Sequence, residues 1–242
     1  MLMRIPTISG VIDRRMLVNF TVEPDIAKRI VPAPFSPKLY NDKAIAGICL
    51  IRLKQIRPFG LPSFLGIGSE NGAHRIAVEW LENGELKEGV YIPRRDTSSR
   101  FNALVGGRLF PGKHYLAQFD VSESETDYHV AFTSSDNTII SVDAQVADSL
   151  NPNSIFKDLP AVSDFFKKGS LGYSPNNDKF DGLLLNAYKW EVKPMIVSKV
   201  VSSYFENEQV FPKGTIQFDN ALLMKNIAHD WKSVLQKDAY SM

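Results

Sequence analysis

The sequence predicts one mainly β domain of the α+β class, with a few short flanking helices. Three observations lead there. Short runs rich in β-branched and aromatic residues recur along the chain, separated by clusters of Asn, Asp, Gly and Pro. Helical periodicity is confined to a few short segments. No internal repeat, low-complexity tract or Pro/Gly/Ser-rich linker divides the 242 residues, so residues 1–242 are expected to form a single domain.

Arg14–Val22 has the short-range pattern of a strand. Pro24 stands where a helix starts, and Asp25–Val31 supplies roughly two turns. Prolines within Val31–Phe35 forbid continuation and favour extended backbone. Ala44–Ile56 is a long run rich in β-branched residues, expected to be a strand buried on both faces. Pro58–Gly72 is crowded with Gly, Pro and Ser and reads as a long loop, the kind that in compact domains more often carries function than not. His74–Leu81 and Leu86–Ile92 then form a hairpin across Glu82-Asn83-Gly84-Glu85.

Glu88–Val121 is expected to run strand, charged turn, helix, tight turn and strand. Pro93 closes the first strand, and Thr97 or Ser98 caps the helix. Phe101, Leu104, Val105 and Leu109 line one helix face. Gly106 and Gly107 inside it cost about 1 kcal/mol each relative to Ala, which suggests close packing against another backbone. Arg94, Arg95, Asp96, Arg100, Arg108, Lys113 and His114 fall at the ends of this helix. Beyond it, Tyr128–Thr133 and Thr138–Val146 read as a hairpin, and Asp158 caps a short helix carrying Phe165 and Phe166. Tyr173–Lys179 reads as a polar loop, while Gly182–Val192, Met195–Phe205 and Thr215–Phe218 read as strands. Ala221–Ile227 fits either a strand or a helix face.

A net charge of +1 gives no basis for bulk attraction to nucleic acid or to an acidic membrane. All eleven arginines lie at or before Arg108, so an anionic ligand is expected to meet the first half, where planar guanidinium forks suit carboxylates. The one cysteine, Cys49, cannot form an internal disulfide and reads as a small buried hydrophobe in a reducing, cytoplasmic setting. Met1–Gly10 lacks the apolar core of a signal peptide, and no apolar stretch approaches ~18 residues. His74, His114, His129 and His229 show no metal-ligand spacing, so no metal and no cofactor are expected. Serine-elbow, Walker and dinucleotide motifs are absent.

Three blocks of residues carry a resemblance. Arg14-Arg15 and Leu17–Phe20 lead to Ile30-Val31-Pro32-Ala33-Pro34-Phe35; Gly68-Ser69-Glu70-Asn71-Gly72 precedes Ile76-Ala77-Val78; and Val105–Leu116 contains Gly112-Lys113-His114. In this order they are similar to blocks of the acetoacetate decarboxylase-like superfamily, and the chain resembles an uncharacterised bacterial branch of it. The resemblance implies a closed antiparallel β barrel with flanking short helices and a central cavity, in a homo-oligomer. It also implies a lysine that forms a Schiff base with a keto acid. Carried over by position, Lys113 is the nucleophile, Glu70 the cavity glutamate, and Arg14 or Arg15 the carboxylate-binding residue. Arg94 and Arg95 are either a structural ion-pair turn with Asp96 or a clamp for an anion.

The relatives have two adjacent lysines where this chain has Lys113-His114. Bringing a solvated lysine from pKa ~10.4 to near 7 takes about 4 kcal/mol of bias toward the neutral amine, and a mostly uncharged histidine supplies little of it. Two functions therefore stand: a lyase acting on a small keto acid through Lys113, or a non-catalytic barrel that binds a small acidic or apolar ligand and uses arginines such as Arg94 and Arg95.

Overall fold

Long strands dominate the computed structural model, which describes residues 7–105 and 111–238. In chain order the strands are β1 (Ile8–Val22), β2 (Ser36–Pro37), β3 (Leu39–Tyr40), β4 (Lys43–Pro58), β5 (Ile67–Glu82), β6 (Glu85–Thr97), β7 (His114–Glu123), β8 (Asp127–Ser134), β9 (Ile139–Val146), β10 (Leu171–Asn176), β11 (Lys179–Ala187), β12 (Lys193–Ser202) and β13 (Ile216–Asp238). The helices are α1 (Pro24–Ile30), α2 (Arg100–Val105) and α3 (Leu159–Lys167), with a 3-10 turn at Ser63–Leu65. No helix among the described residues is long and apolar enough to cross a membrane.

Several elements follow their local chemistry. Pro24 opens α1. Asn83 and Gly84, both at positive φ, make the tight β5–β6 hairpin, since two left-handed residues match the twist of the paired strands. The Asp158 carboxylate accepts from Ala161 N at 2.8 Å and caps α3. Ala221–Ile227 is strand, inside β13.

Other elements differ from expectation. Pro58–Gly72 is loop only between the strands, because β4 runs through Pro58 and β5 starts at Ile67, so Glu70 lies in a sheet rather than a loop. Pro93 does not end β6; the pairing with β5 slips between His74 and Ile76, and such a bulge tolerates a residue without an N–H. Ser99, not Thr97 or Ser98, caps α2, accepting from Asn102 N at 3.2 Å. Phe101 and Leu104 are exposed rather than core-facing. Gly106, Gly107, Arg108 and Leu109 lie outside the described residues. Tyr173–Asn176 is strand within β10.

The strands form one thirteen-stranded sheet, and it is mixed, not antiparallel throughout. β6 pairs in parallel with both β7 and β10. The reason is the connection: β6 reaches β7 through α2, and only such a crossover, not a hairpin, brings the next strand in the same direction.

Two cores flank the sheet. One face packs Met16, Val18, Ile48, Leu50, Val130, Phe132 and Ile140. The other packs Leu17, Ile45, Cys49 and Leu53 against Phe156, Val162, Phe165 and Phe166 around α3. Ile12 and Leu17 share the second core although their numbers differ in parity. The β1–β4 register slips between Ile12 and Arg14, and one extra residue there exchanges the faces.

Candidate functional site

A cavity of about 150 Å³ opens on the second face, lined by residues of β1, β4, β5, β6, β7, β10, β11, β13 and α2. Pairings join β1, β4, β5, β6, β10, β11 and β13 each to the next and β13 back to β1. Two cross-strand rows supply its polar groups. Leu17 lies opposite Cys49, Cys49 opposite Ala73, Ala73 opposite Arg95, and Arg95 opposite His114. In a neighbouring row Arg15 lies opposite Ile51, Ile51 opposite Asn71, and Asn71 opposite Thr97.

The lining includes Arg15, Arg75 and Arg95. Their hydrogen-bond partners are neutral. Arg15 Nε donates to Cys49 Sγ at 3.3 Å, Arg75 Nη2 to Asn19 Oδ1 at 2.5 Å, and Arg95 Nε to Ser174 Oγ at 2.9 Å. The Arg75 guanidinium also stacks on the Phe166 ring, 4.6 Å from its centroid. Burial pulls Arg75 and Arg95 down to about 10, so both remain cations at neutral pH. Arg75 Nε, Arg95 Nη2 and Asn102 Oδ1 are buried without a partner. Buried N–H and C=O groups are almost always paired, so these three mark a place where a ligand's polar atoms belong.

His114 reaches the cavity with Nδ1 3.1 Å from the Gly112 carbonyl oxygen, a contact in which Nδ1 carries the proton. Burial, then the charge of Arg95, lowers it to about 4, so the ring is neutral near pH 7. Gly112 sits at φ +72 with the Ser174 side chain where a Cβ would stand, and this turn delivers His114 to the start of β7. Asn71 is oriented by Thr97, whose hydroxyl donates to its Oδ1 at 2.8 Å.

The residues expected from sequence divide between the two faces. Arg15 and Arg95 line the cavity, whereas Arg14, Glu70, Arg94 and Lys113 are not among its lining. Arg14, completely buried, donates to Glu70 at 2.5 Å and to Glu123 at 2.9 Å. Arg52 pairs with the same two carboxylates, closing a ring of four charges. Arg94, outside the cavity lining, forks onto Asp96 and Asp136 in an ion-pair arrangement. Lys113 is exposed, with Nζ 4.6 Å from the centroid of the Tyr115 ring.

Arg75, Asn71, Asn102, His114 and Cys49 were not anticipated as site residues. One signal for Arg75 was present: an arginine inside the apolar strand His74–Leu81. Cys49 carried none, because a thiol in an apolar run is the commonest kind of buried cysteine.

A model of the DUF2071 family, described as an uncharacterized conserved protein, matches residues 12–213. No curated protein matches the chain. Among solved structures, the acetoacetate decarboxylase of Legionella pneumophila superposes with a TM-score of 0.57 at 14% identity, over 96% of this chain and 88% of that one. An acetoacetate decarboxylase-like enzyme of Sphingomonas wittichii RW1 gives 0.59 at 8% identity, over 98% and 94%. The enduracididine biosynthesis enzyme MppR, complexed with pyruvate, gives 0.58 at 12% identity, over 99% and 93%. At such identities the likeness establishes a shared fold.

Proposed function

The chain belongs to the DUF2071 family and has the fold of acetoacetate decarboxylase, and we propose that it binds a small carboxylic acid or keto acid in the arginine-lined cavity without a lysine Schiff base. The observation that carries this is the lining itself: among the described residues, Arg15, Arg75 and Arg95 are there and no lysine is. Guanidinium N–H groups without acceptors suit a carboxylate, which offers lone pairs and a full charge in one planar group. The size agrees, since a cavity of about 150 Å³ holds a molecule as large as benzene, and pyruvate is no larger. The MppR complex supports the ligand class by analogy, because pyruvate is what that protein holds.

The reading takes the circuit of paired strands as a closed barrel about a central cavity, in one domain of a cytoplasmic homo-oligomer. Against a Schiff base stands the position of Lys113: its side chain is exposed, lies over the Tyr115 ring and is not among the residues lining the cavity, so a keto acid held by the arginines does not meet it.

Calorimetric titration with pyruvate and acetoacetate, beside neutral acetone, tests the reading, together with borohydride treatment and intact-mass measurement. Binding of the acids but not of acetone, with no mass increase, is the expected result. A borohydride-stable adduct on Lys113, or no binding of either acid, overturns it.

A further inference from the structure

We propose that Cys49 is a covalent-capture residue of this cavity, its thiol adding reversibly to the carbonyl carbon of a small 2-oxo acid held by the arginines. The inference rests on the carboxylate-binding reading and adds a bond to it. Cys49 is the second residue of the β1–β4–β5–β6–β7 row, between Leu17 and Ala73; it lines the cavity, and its sulfur accepts from Arg15 Nε at 3.3 Å. Arg15, Arg75 and Arg95 line the same cavity as Cys49, so an incoming carboxylate is drawn to the chamber that holds the thiol.

Independent evidence for a ligand comes from Arg75. It is 4% exposed, lines the same cavity, and holds Nε without a partner. Arg95 Nη2 is likewise unpartnered on the far side of Ala73. Cys49 and Arg95 stand two strands apart, about 10 Å between backbones, and the alanine between them leaves the intervening space unfilled. A 2-oxo acid with its carboxylate at Arg95 and Arg75 thus presents its adjacent carbonyl carbon toward the sulfur.

In the addition, the S–C bond forms as the carbonyl π pair moves onto oxygen. The proton released by the thiol ends on that oxygen, giving a hemithioacetal from an aldehyde acid or a hemithioketal from a keto acid. No oxidant or reductant enters, and the reverse step restores both partners.

The test uses the intact protein and two alkylating probes, iodoacetate and iodoacetamide, with labelling at Cys49 followed by peptide mass spectrometry. Free cysteine sets the reference ratio of the two rates. The positive cavity is expected to raise the iodoacetate-to-iodoacetamide ratio about tenfold over that reference, and glyoxylate is expected to protect Cys49 while neutral acetaldehyde at equal concentration does not. A ratio equal to that of free cysteine, absence of labelling in the folded protein, or no protection by glyoxylate overturns the proposal. Calorimetry of glyoxylate with Cys49→Ser separates the two readings. Binding retained by this variant, with Cys49 unreactive in the wild type, removes the covalent step alone; no binding to either protein removes both.

Discussion

Arg14 and Arg15 are neighbours on β1 and serve opposite faces of the sheet. Arg14 is sealed between Glu70 and Glu123, and Arg15 lines the cavity and donates to Cys49. The same division recurs at Glu70 and Asn71, and at Arg94 and Arg95. In each pair the first residue is held in a charge cluster and the second reaches the cavity, as the alternation of side chains along a strand requires.

The charge ring makes Arg14 a stability residue. Arg14→Met leaves Glu70 and Glu123 with Arg52 alone, in surroundings where both carboxylates are mostly buried. A loss of about 3 kcal/mol is expected in urea or guanidinium unfolding, the lower end for a broken buried pair because the far side of the ring is partly wet. The double change Arg14→Met with Glu70→Gln should recover part of it. Equal losses for the single and double variants would show that the uncompensated Glu70 charge is not the source of the loss, and no loss in Arg14→Met would show that the ring contributes nothing.

Affinity for a carboxylate should follow the cavity face and ignore the other. Arg95→Gln removes a charged donor whose Nη2 has no other partner and is expected to weaken pyruvate binding about 10- to 100-fold, the range for a charge-assisted hydrogen bond. Lys113→Met should leave the affinity within about twofold of wild type. Calorimetry of the three proteins side by side checks both, and the opposite pattern would return the lysine to the site.

Ala73 is the spacer between Cys49 and Arg95, so its size should control access. Ala73→Leu is expected to abolish carboxylate binding by occupying the space, and to change stability by no more than about 1.5 kcal/mol, since the added methylenes enter a void. Unchanged pyruvate affinity in a folded Ala73→Leu protein would place the ligand elsewhere.

Acid should destabilise the fold from about pH 6.5 downward. Burial, aided by Arg94, holds His74 at about 3; burial, aided by Arg95, holds His114 at about 4; and burial holds His229 at about 4. Each has a folded pKa below the unfolded ~6.5, so below that pH the unfolded chain binds more protons and stability falls as pH drops. The slope reaches about 1.4 kcal/mol per pH unit per histidine. Glu123 adds to it at lower pH: burial raises its pKa, but the bonds and charges of Arg14 and Arg52 outweigh this and leave it below the ordinary value, so its contribution is lost as pH falls through the folded pKa. Denaturant midpoints between pH 4 and 8 check this, with His74→Phe expected to flatten the curve. A midpoint constant from pH 7 to 5 would contradict it.

Much of the architecture was legible in the residues. The Asn83-Gly84 turn, the Pro24 helix start, the Asp158 cap and the β-branched run Ala44–Ile56 are all local signals, each decided by backbone geometry within a few positions. Local composition misled where pairing partners overrode it, at the Gly- and Ser-rich start of β5 and at Pro93 in β6. Glycine, serine and proline weaken a strand, but long neighbours on both sides, as β4 and β6 are for β5, hold it in place.

From the sequence alone came the strand-rich fold class, the placing of arginines in the first half and the three segments that approach the cavity. Which residue of each segment enters it was decided by the tertiary structure. The face of a strand depends on parity, and a single bulge such as that between Ile12 and Arg14 exchanges the faces of everything after it. Such a bulge is set by how the chain pairs with strands far away in sequence. For that reason arginine pairs at positions 14–15 and 94–95 could be seen in one dimension, while the choice of Arg15 and Arg95 required three.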